Sequence, residues 1–233
     1  MRNLLTLLIL SLIPCVAKAD DNTPQKIPLA ERLTALDDPD YALRETATDL
    51  LLHDDTLDLD ALAQAMPAAP SPELRQRLLN IAHHHTVRKI RFDSFETEGR
   101  GSIGVVQSMV SEPDDVFGPE KSYVLVTRAL PGFPAYGRLR PMDQIVGLND
   151  QPLNDLDQVE SFPRMLQAFN AGQEIHLTVL RNGETLDVSL TLASRTALAA
   201  IYTQPGFTLS PKFDDLWQQR RKAFDWPSDE ETQ

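Results

Sequence analysis

The hydrophobic residues of this chain change their spacing part-way along it, just after His85. Before that point, apolar residues recur every three or four positions, the spacing that places them on one face of an α-helix. After it, short runs rich in Val, Ile, Phe and Leu alternate with polar residues, as in the strands of a half-buried sheet. A chain of 233 residues has room for one or two domains. The spacing therefore predicts the α+β class, with a helical region followed by a small β-rich domain and a C-terminal helix.

The helical region is predicted to span residues 28–89 and to contain four helices. Asp38 is expected to cap the second helix, with Pro39 as its first residue, because a proline there leaves no backbone N–H unpaired. Ser71 and Pro72 give the same signal for the fourth helix. Residues 28–89 are therefore expected to form an all-α unit.

Two segments of this region, 36–44 and 69–75, place a proline, an acidic residue and an arginine in the same order. This internal similarity resembles the stacked helix pairs of HEAT repeats. A plain four-helix domain that packs on its neighbour fits the same pattern. The sequence leaves both architectures open.

The β-rich domain is predicted over residues 90–195, and its first strand is expected at 90–95, where Ile and Phe alternate with polar residues. Asn182-Gly183 separates two apolar runs, and this dipeptide is a strong signal for a two-residue hairpin. One helical stretch is expected at about 155–170. The prediction is a mostly antiparallel sheet with one main helix.

The chain begins with the three parts of a secretory signal peptide: Arg2, an apolar run at 4–13, and an A-x-A cleavage site that ends at Ala19. The run is too short to span a bilayer, which needs about 20 apolar residues. Removal of residues 1–19 predicts export to the periplasm or the medium, with no stable membrane insertion. Lipid anchoring through Cys15 is a lesser alternative, because the proline before it is a poor match to a lipoprotein box.

Two further segments lie outside the predicted domains. Residues 20–27 are polar and are expected to form a disordered lead-in, and residues 196–233 are expected to hold a linker, an amphipathic helix and an acidic tail. The helix is expected to dock onto one of the protein's own domains, with binding to a partner as the alternative. Its predicted face consists of Phe213, Leu216, Trp217, Arg220 and Phe224.

Charge and residue types exclude several classes of function. A formal net charge of −12 repels phosphate backbones, so nucleic acid is not an expected partner. The three histidines at 83–85 do not predict a metal site, because consecutive helical residues point about 100° apart. They are interpreted as partly exposed residues at a helix end. The sequence has no serine in the glycine-flanked setting of a hydrolase nucleophile. The chain is therefore not expected to be an enzyme, and no cofactor or metal is expected.

Five ordered motifs lie between residues 101 and 183. They are GSIGV at 101–105, PGFPA at 131–135, LRPMDQI at 139–145, LNDQPL at 148–153, and AGQ with VLRNG at 171–183. In order and spacing they resemble the PDZ family, in the form attached to bacterial envelope proteases. A protease domain is not expected beside them, because the helical region cannot supply a double β-barrel.

The resemblance implies a domain that binds peptides without catalysis. In the family, backbone N–H groups of the glycine-containing loop hold the peptide's terminal carboxylate, and the peptide adds as a strand to the next strand's edge. Side chains of the facing helix select the terminal residue. Carried over to this sequence, the peptide-binding residues are Gly101, Ser102, Ile103, Gly104, Val105, Val106, Val159, Phe162 and Leu166.

Four positions depart from the family pattern. Ser102 stands in the loop where a bulky residue is common, and Asp150 replaces a turn glycine. Met142 replaces glycine in another turn, which is therefore expected to avoid a positive φ. Pro163 lies in the predicted main helix and is expected to kink it unless it falls in the first turn.

These observations favour an exported, non-catalytic adaptor whose partners are protein C-termini or extended peptides. A second hypothesis is a structural assembly module whose groove has been lost, and a groove filled by the C-terminal helix would favour it. A third is an accessory subunit of a separate envelope protease, which rests on analogy alone.

Overall fold

The computed structural model describes residues 28–66, 69, 71–95, 98–113, 120–153, 161–204 and 206–224. Helices come first, a β-sheet region follows and a helix ends the described chain, so the predicted α+β class is confirmed. The helices are α1 (Leu29–Ala35), α2 (Tyr41–Leu52), α3 (Leu59–Ala65), α4 (Pro72–Ser94), α5 (Ser161–Leu166), α6 (Arg195–Ile201) and α7 (Pro211–Arg221), which a 3₁₀ turn at Lys222–Phe224 follows. The predicted signal peptide and lead-in lie outside the described residues. In the described part of the chain, each helix is too short or too polar to cross a bilayer.

Short polar side chains explain where three of the N-terminal helices begin. Asp40, Asp58 and Ser71 each accept a hydrogen bond from a backbone N–H in the first turn of the following helix. Pro72 is the first residue of α4, as predicted. The predicted cap of α2 at Asp38 is two residues too early, because the Asp38 carboxylate accepts from the Asp40 N–H instead, at 2.7 Å.

Helix α4 continues to Ser94, so the predicted strand at 90–95 is wrong. Val87 is fully buried and Ile90 packs against the same apolar cluster three residues later, which is helical spacing. An alternation of apolar and polar residues over only six positions fits a helix face as well as a strand. Because the residues before it already form a helix, the helix continues through this segment. As a result, α4 is a 23-residue helix that extends from the helical region onto the β domain.

The strands form one large sheet and two small ladders. They are β1 (Gly101–Ser102), β2 (Val105–Pro113), β3 (Glu120–Ala129), β4 (Gln144–Leu148), β5 (Gln151–Pro152), β6 (Glu174–Arg181), β7 (Glu184–Thr191), β8 (Ala193–Ser194), β9 (Tyr202–Thr203) and β10 (Thr208–Leu209). The large sheet is antiparallel in the order β2-β3-β4-β6-β7, with β5 paired to β4. The ladders are β1 with β8 and β9 with β10. Strands β2 and β7 are therefore the edges of the large sheet.

Two-residue turns fix the register of two hairpins. Asn182 and Gly183 have φ values of 52° and 84°, as a type I′ turn requires, so the predicted hairpin between β6 and β7 is confirmed. Asn149 and Asp150, at 47° and 62°, connect β4 to β5 in the same way. Asp150 can replace glycine here because aspartate tolerates the left-handed region better than most residues.

The turn that contains Met142 keeps the backbone conformation that a glycine would adopt. Met142 has φ of 75°, so the expectation that this turn avoids a positive φ is wrong. The Asp143 N–H donates to the Arg140 carbonyl at 3.1 Å, which closes a turn with Pro141 at its second position and the positive φ at its third. This is the pattern of a type II turn. Met142 is 73% exposed, so its side chain does not clash with neighbouring residues in this conformation.

A buried ion pair fastens this turn to the sheet. Asp143 is 1% exposed, and its two carboxylate oxygens accept from Nε and Nη2 of Arg181, each at 2.7 Å. The same carboxylate accepts from the Arg140 N–H at 2.8 Å, and Arg181 also donates to the Arg138 carbonyl. The hydrogen bond from Arg181 to the Asp143 carboxylate raises the pKa of that guanidinium. Asp143 is thus fully hydrogen-bonded despite its burial.

Three clusters of buried side chains hold the molecule together. One lies among the N-terminal helices and one fills the β domain. The third, called here the joining cluster, contains Val87, Leu130, Phe133, Ala193, Ala197, Ile201, Tyr202 and Phe213. Helix α7 contributes Trp217 to the helical cluster and Phe213 to the joining cluster, so it docks onto the protein's own domains. Leu216, predicted on the same face, is instead 40% exposed.

The histidines at 83–85 lie inside α4 and contact three different parts of the chain. His83 stacks on Trp217 of α7, with ring centroids 4.4 Å apart. His84 accepts from the Gly132 N–H at 3.0 Å, and His85 hydrogen-bonds to the Leu51 carbonyl at 2.8 Å. The interpretation as partly exposed residues at a helix end is therefore wrong, because all three lie in the middle of α4 and only His83 is partly exposed. Among the described residues, no group of three His, Cys, Asp or Glu side chains could hold a metal ion.

Acid is expected to weaken these histidine contacts. Burial lowers the pKa of His83 to about 4 and that of His84 well below its usual value, so both are neutral in the folded protein. An unfolded histidine has a pKa near 6.5, so the unfolded chain binds more protons below that pH and stability falls as pH drops from about 6.5 towards 4. Because of this pKa difference at His83 alone, the free energy of unfolding should be about 2 kcal/mol lower at pH 5 than at pH 7. Urea denaturation at the two pH values measures this change.

A phenylalanine at position 83 provides the control for this prediction. His83→Phe keeps an aromatic ring against Trp217 but cannot take up a proton, so its stability should depend less on pH than that of the wild type. Equal pH dependence in both proteins would show that His83 is not responsible. Equal stability of the wild type at pH 7 and pH 5 would contradict the prediction outright.

Candidate functional site

Strand β2 presents one free edge at the side of the large sheet. It pairs along its length with β3, from Val105 opposite Ala129 onward, and no other described strand pairs with it. Its register shifts between Val106 and Gln107, which indicates a β-bulge near its start. The N–H and C=O groups on the free edge can therefore accept an added strand.

The loop that precedes β2 is held from one side by the turn at 130–135. The carbonyls of Ile103 and Gly104 accept from the N–H groups of Ala135, at 3.0 Å, and Leu130, at 2.8 Å. A trans peptide group points its N–H opposite to its C=O, so the N–H groups of Gly104 and Val105 point away from that turn. Successive N–H groups on one side of a loop form an anion-binding nest.

Ser102 occupies part of this nest. Its side-chain oxygen accepts from the Gly104 N–H at 3.3 Å, which is a long hydrogen bond, and the residue is 8% exposed. The hydroxyl therefore lies on the side where a carboxylate would bind. An incoming carboxylate would compete with it for the Gly104 N–H, although a hydroxyl can also donate to a carboxylate.

A cavity of about 240 Å³ lies between this loop, β2 and α5. All six loop and strand residues predicted from the sequence line it, namely Gly101, Ser102, Ile103, Gly104, Val105 and Val106, and so does Leu166. Phe162 does not line it and lies in the core of the β domain. Val159 lies outside the described residues.

Helix α5 and the turn after it contribute two lining residues, Pro163 and Gln167, that sequence reasoning did not assign to the site. Pro163 is the third residue of α5, where its missing N–H leaves no helical bond unmade, so it does not break the helix. Gln167 donates from both its backbone N and its side-chain Nε2 to the Pro163 carbonyl, at 3.1 and 3.0 Å. The expected kink is therefore absent from the described part of this helix.

Residues that follow the large sheet form a third wall of the cavity. The sequence analysis predicted a linker in this segment and did not assign its residues to the site. Arg195, Leu198, Gln204 and Phe207 line the cavity from α6 and the β9–β10 hairpin. Arg128 donates to the carbonyls of Gly206, at 2.8 Å, and Phe207, at 3.2 Å, which fastens the hairpin to β3.

Phe207 has φ of 48°, an uncommon value for a bulky residue, and strained residues of this kind cluster at functional sites. In the sequence, an aromatic residue directly after Gly206 was the only signal that could have indicated this wall of the cavity.

Phe133 supports the loop from behind. It is 1% exposed, and a Cβ placed on Gly104 would lie 2.2 Å from the Phe133 Cβ. Gly104 also has φ of 73°, so both space and backbone conformation require glycine there. The Phe133 ring contacts Tyr202 of the joining cluster at 5.9 Å between centroids. The loop is therefore backed by the cluster that joins the helical region to the sheet.

The order of loop, edge strand and facing helix agrees with comparisons to known proteins. A family model described as a PDZ domain matches residues 101–192. Residues 101–192 form a PDZ domain. PDZ domains as a class bind peptides by strand addition. The match is to the PDZ domain and does not extend to a protease domain.

Two solved structures are similar to part of this chain at low identity and low TM-score. The HtrA-type protease AlgW with a decapeptide is 21% identical, with a TM-score of 0.34, and the match covers 52% of this chain and 35% of that one. A serine-to-alanine variant of AlgW with a decapeptide gives the same identity and TM-score, with coverage of 48% and 33%. This chain thus spans about a third of the length of those proteins. No curated protein shows a significant match.

Proposed function

We propose that this chain is an exported, non-catalytic adaptor whose PDZ groove captures protein C-termini or extended segments. The observation that carries the proposal is the open cavity of about 240 Å³ beside the free edge of β2. Ile103 and Leu166 line it and favour an apolar terminal residue. Export is supported by the N-terminal sequence pattern, and N-terminal sequencing of the mature protein, with Asp20 expected first, tests it.

The alternative, an assembly module without a working groove, has one observation in its favour. The wall formed by Leu198 and Phe207 limits the room at one end of the cavity. Helix α7 does not fill the groove, because its described aromatic residues belong to the helical and joining clusters. Peptide titration separates the two hypotheses.

Peptides with a free, apolar C-terminus are expected to shift the amide resonances of residues 101–106 in the full chain. Amidation of the peptide should weaken binding about tenfold or more, because a hydrogen bond to a charged group contributes about 1.5–3 kcal/mol. The measurement is an NMR titration of the ¹⁵N-labelled protein with a peptide library of varied terminal residues, each in acid and amide form.

A pair of tryptophan variants controls for the site of binding. Gln167→Trp places an indole in the groove, whereas Ala168→Trp places it on the exposed neighbour outside the lining. The first should abolish the shifts and the second should leave them. If no peptide shifts residues 101–106, or if Gln167→Trp binds as the wild type does, the assembly-module hypothesis is favoured instead.

A further inference from the structure

A second cavity, of about 440 Å³, lies where α4 meets the β domain. Its walls come from α4, from the end of α2 and the turn after it (Leu52, His53 and Asp55), from the turn at 132–138, from residues 171–172, and from residues 189–194, which run from β7 into β8. Phe92, Phe133 and Tyr136 contribute aromatic surface, and Phe92 is 52% exposed. Cavities that bind small molecules have this size and this mostly apolar character, and they occur often between domains.

Arg91 of α4 lines this cavity, and no carboxylate among the described residues provides a counter-charge for it. Its guanidinium lies 4.7 Å from the centroid of the Phe92 ring and 5.4 Å from that of Phe133. Its Nε is buried and has no hydrogen-bond partner, and no described carboxylate forms an ion pair with it. Burial, together with the nearby Arg88, lowers the pKa of Arg91 to about 10. A buried cation without an anion beside it has a higher free energy than one that is paired with an anion.

The other two arginines that line the cavity already have partners. Arg88 pairs with Asp55, and Arg138 contacts His53 at 3.0 Å and Asp49 at 3.8 Å. Among the described residues, one positive charge of the cavity is therefore left uncompensated. A single negative charge would match it, whereas a dianion such as phosphate would need a second free cation.

We propose that this cavity binds a small organic monocarboxylate, with its carboxylate on Arg91 and its apolar body against Phe92 and Phe133. A planar guanidinium presents its donors in a fork that fits a carboxylate. The proposal concerns a different site from the PDZ groove, and none of the three residues named lines that groove. It therefore does not depend on the proposed peptide-binding function.

The test uses the full chain and three acids, namely hexanoate, benzoate and 3-phenylpropanoate, each beside its neutral amide. At least one acid is expected to shift the Arg91 Nε–H resonance and to bind tenfold or more tightly than its amide. Arg91→Met keeps an apolar stem between the two rings but removes the charge, and it should weaken binding tenfold or more. Lys89→Met removes a positive charge from the same helix outside the cavity lining, and it should change the affinity less than threefold.

The PDZ loop could also hold a carboxylate, so the Gln167→Trp variant is titrated in parallel and should bind the acid as the wild type does. The proposal is overturned if no acid shifts Arg91 at 10 mM, if acid and amide bind equally, or if Arg91→Met binds normally. In each of these cases Arg91 acts only as a contact between helix and sheet. The comparison of acid with amide is made on the wild type, so it stands even if Arg91→Met does not fold.

Discussion

Replacing Asp143 by alanine is expected to lower the free energy of unfolding by about 3–5 kcal/mol, the usual effect of removing one partner from a buried ion pair. The variant leaves the Arg181 guanidinium without its carboxylate, and that guanidinium is only 21% exposed. It also leaves the Arg140 N–H without its acceptor. Urea denaturation at pH 7 measures the loss. The wild type is the reference.

Two further variants decide whether the effect comes from the ion pair. Asp187→Ala removes an exposed carboxylate from the neighbouring strand β7, and surface changes of this kind usually alter stability by less than about 0.5 kcal/mol. Arg181→Met combined with Asp143→Ala should lose less than the sum of the single losses, because the pair is already broken in each. Additive losses, or a loss below about 1 kcal/mol for Asp143→Ala, would mean that the pair contributes little.

Local signals in the sequence were sufficient where short-range physics decides the structure. Ser71 and Pro72 begin α4 because a cap and a proline act within one turn. Asn182-Gly183 forms the predicted hairpin because both residues tolerate a positive φ. The same reasoning failed at Met142, where the hydrogen bonds of the surrounding turn hold a residue with a Cβ in a conformation that it would not choose alone.

Features that depend on distant parts of the chain could not be predicted in this way. The burial of His84 requires that the Gly132 N–H lie against α4, 48 residues away in sequence. The third wall of the groove requires that Arg128 hold the 206–207 carbonyls. Phe162 was assigned to the groove from the family resemblance, but the position of α5 places it in the core of the β domain. Each outcome is set by tertiary contacts, which a single sequence does not reveal.

Gly104→Ala is expected to disrupt the peptide-binding loop and to lower the free energy of unfolding by about 3 kcal/mol or more. Two effects add. An L-residue with φ of 73° costs about 1–2 kcal/mol. The new Cβ would also lie 2.2 Å from the Phe133 Cβ, and neither atom can move without its backbone. Either the loop or the turn at 130–135 must shift, and the hydrogen bonds that orient the loop's N–H groups would then be lost.

Gly172→Ala separates these two effects. Gly172 has φ of 85°, yet a Cβ there would meet nothing within 4 Å, so this variant shows the cost of the backbone conformation alone, about 1–2 kcal/mol. The difference between the two variants in urea denaturation therefore measures the contact with Phe133. Peptide titration should show binding retained in Gly172→Ala and reduced at least tenfold in Gly104→Ala. If both variants lose equal stability and bind equally well, Phe133 does not hold the loop. The joining cluster would then have no part in shaping the PDZ groove.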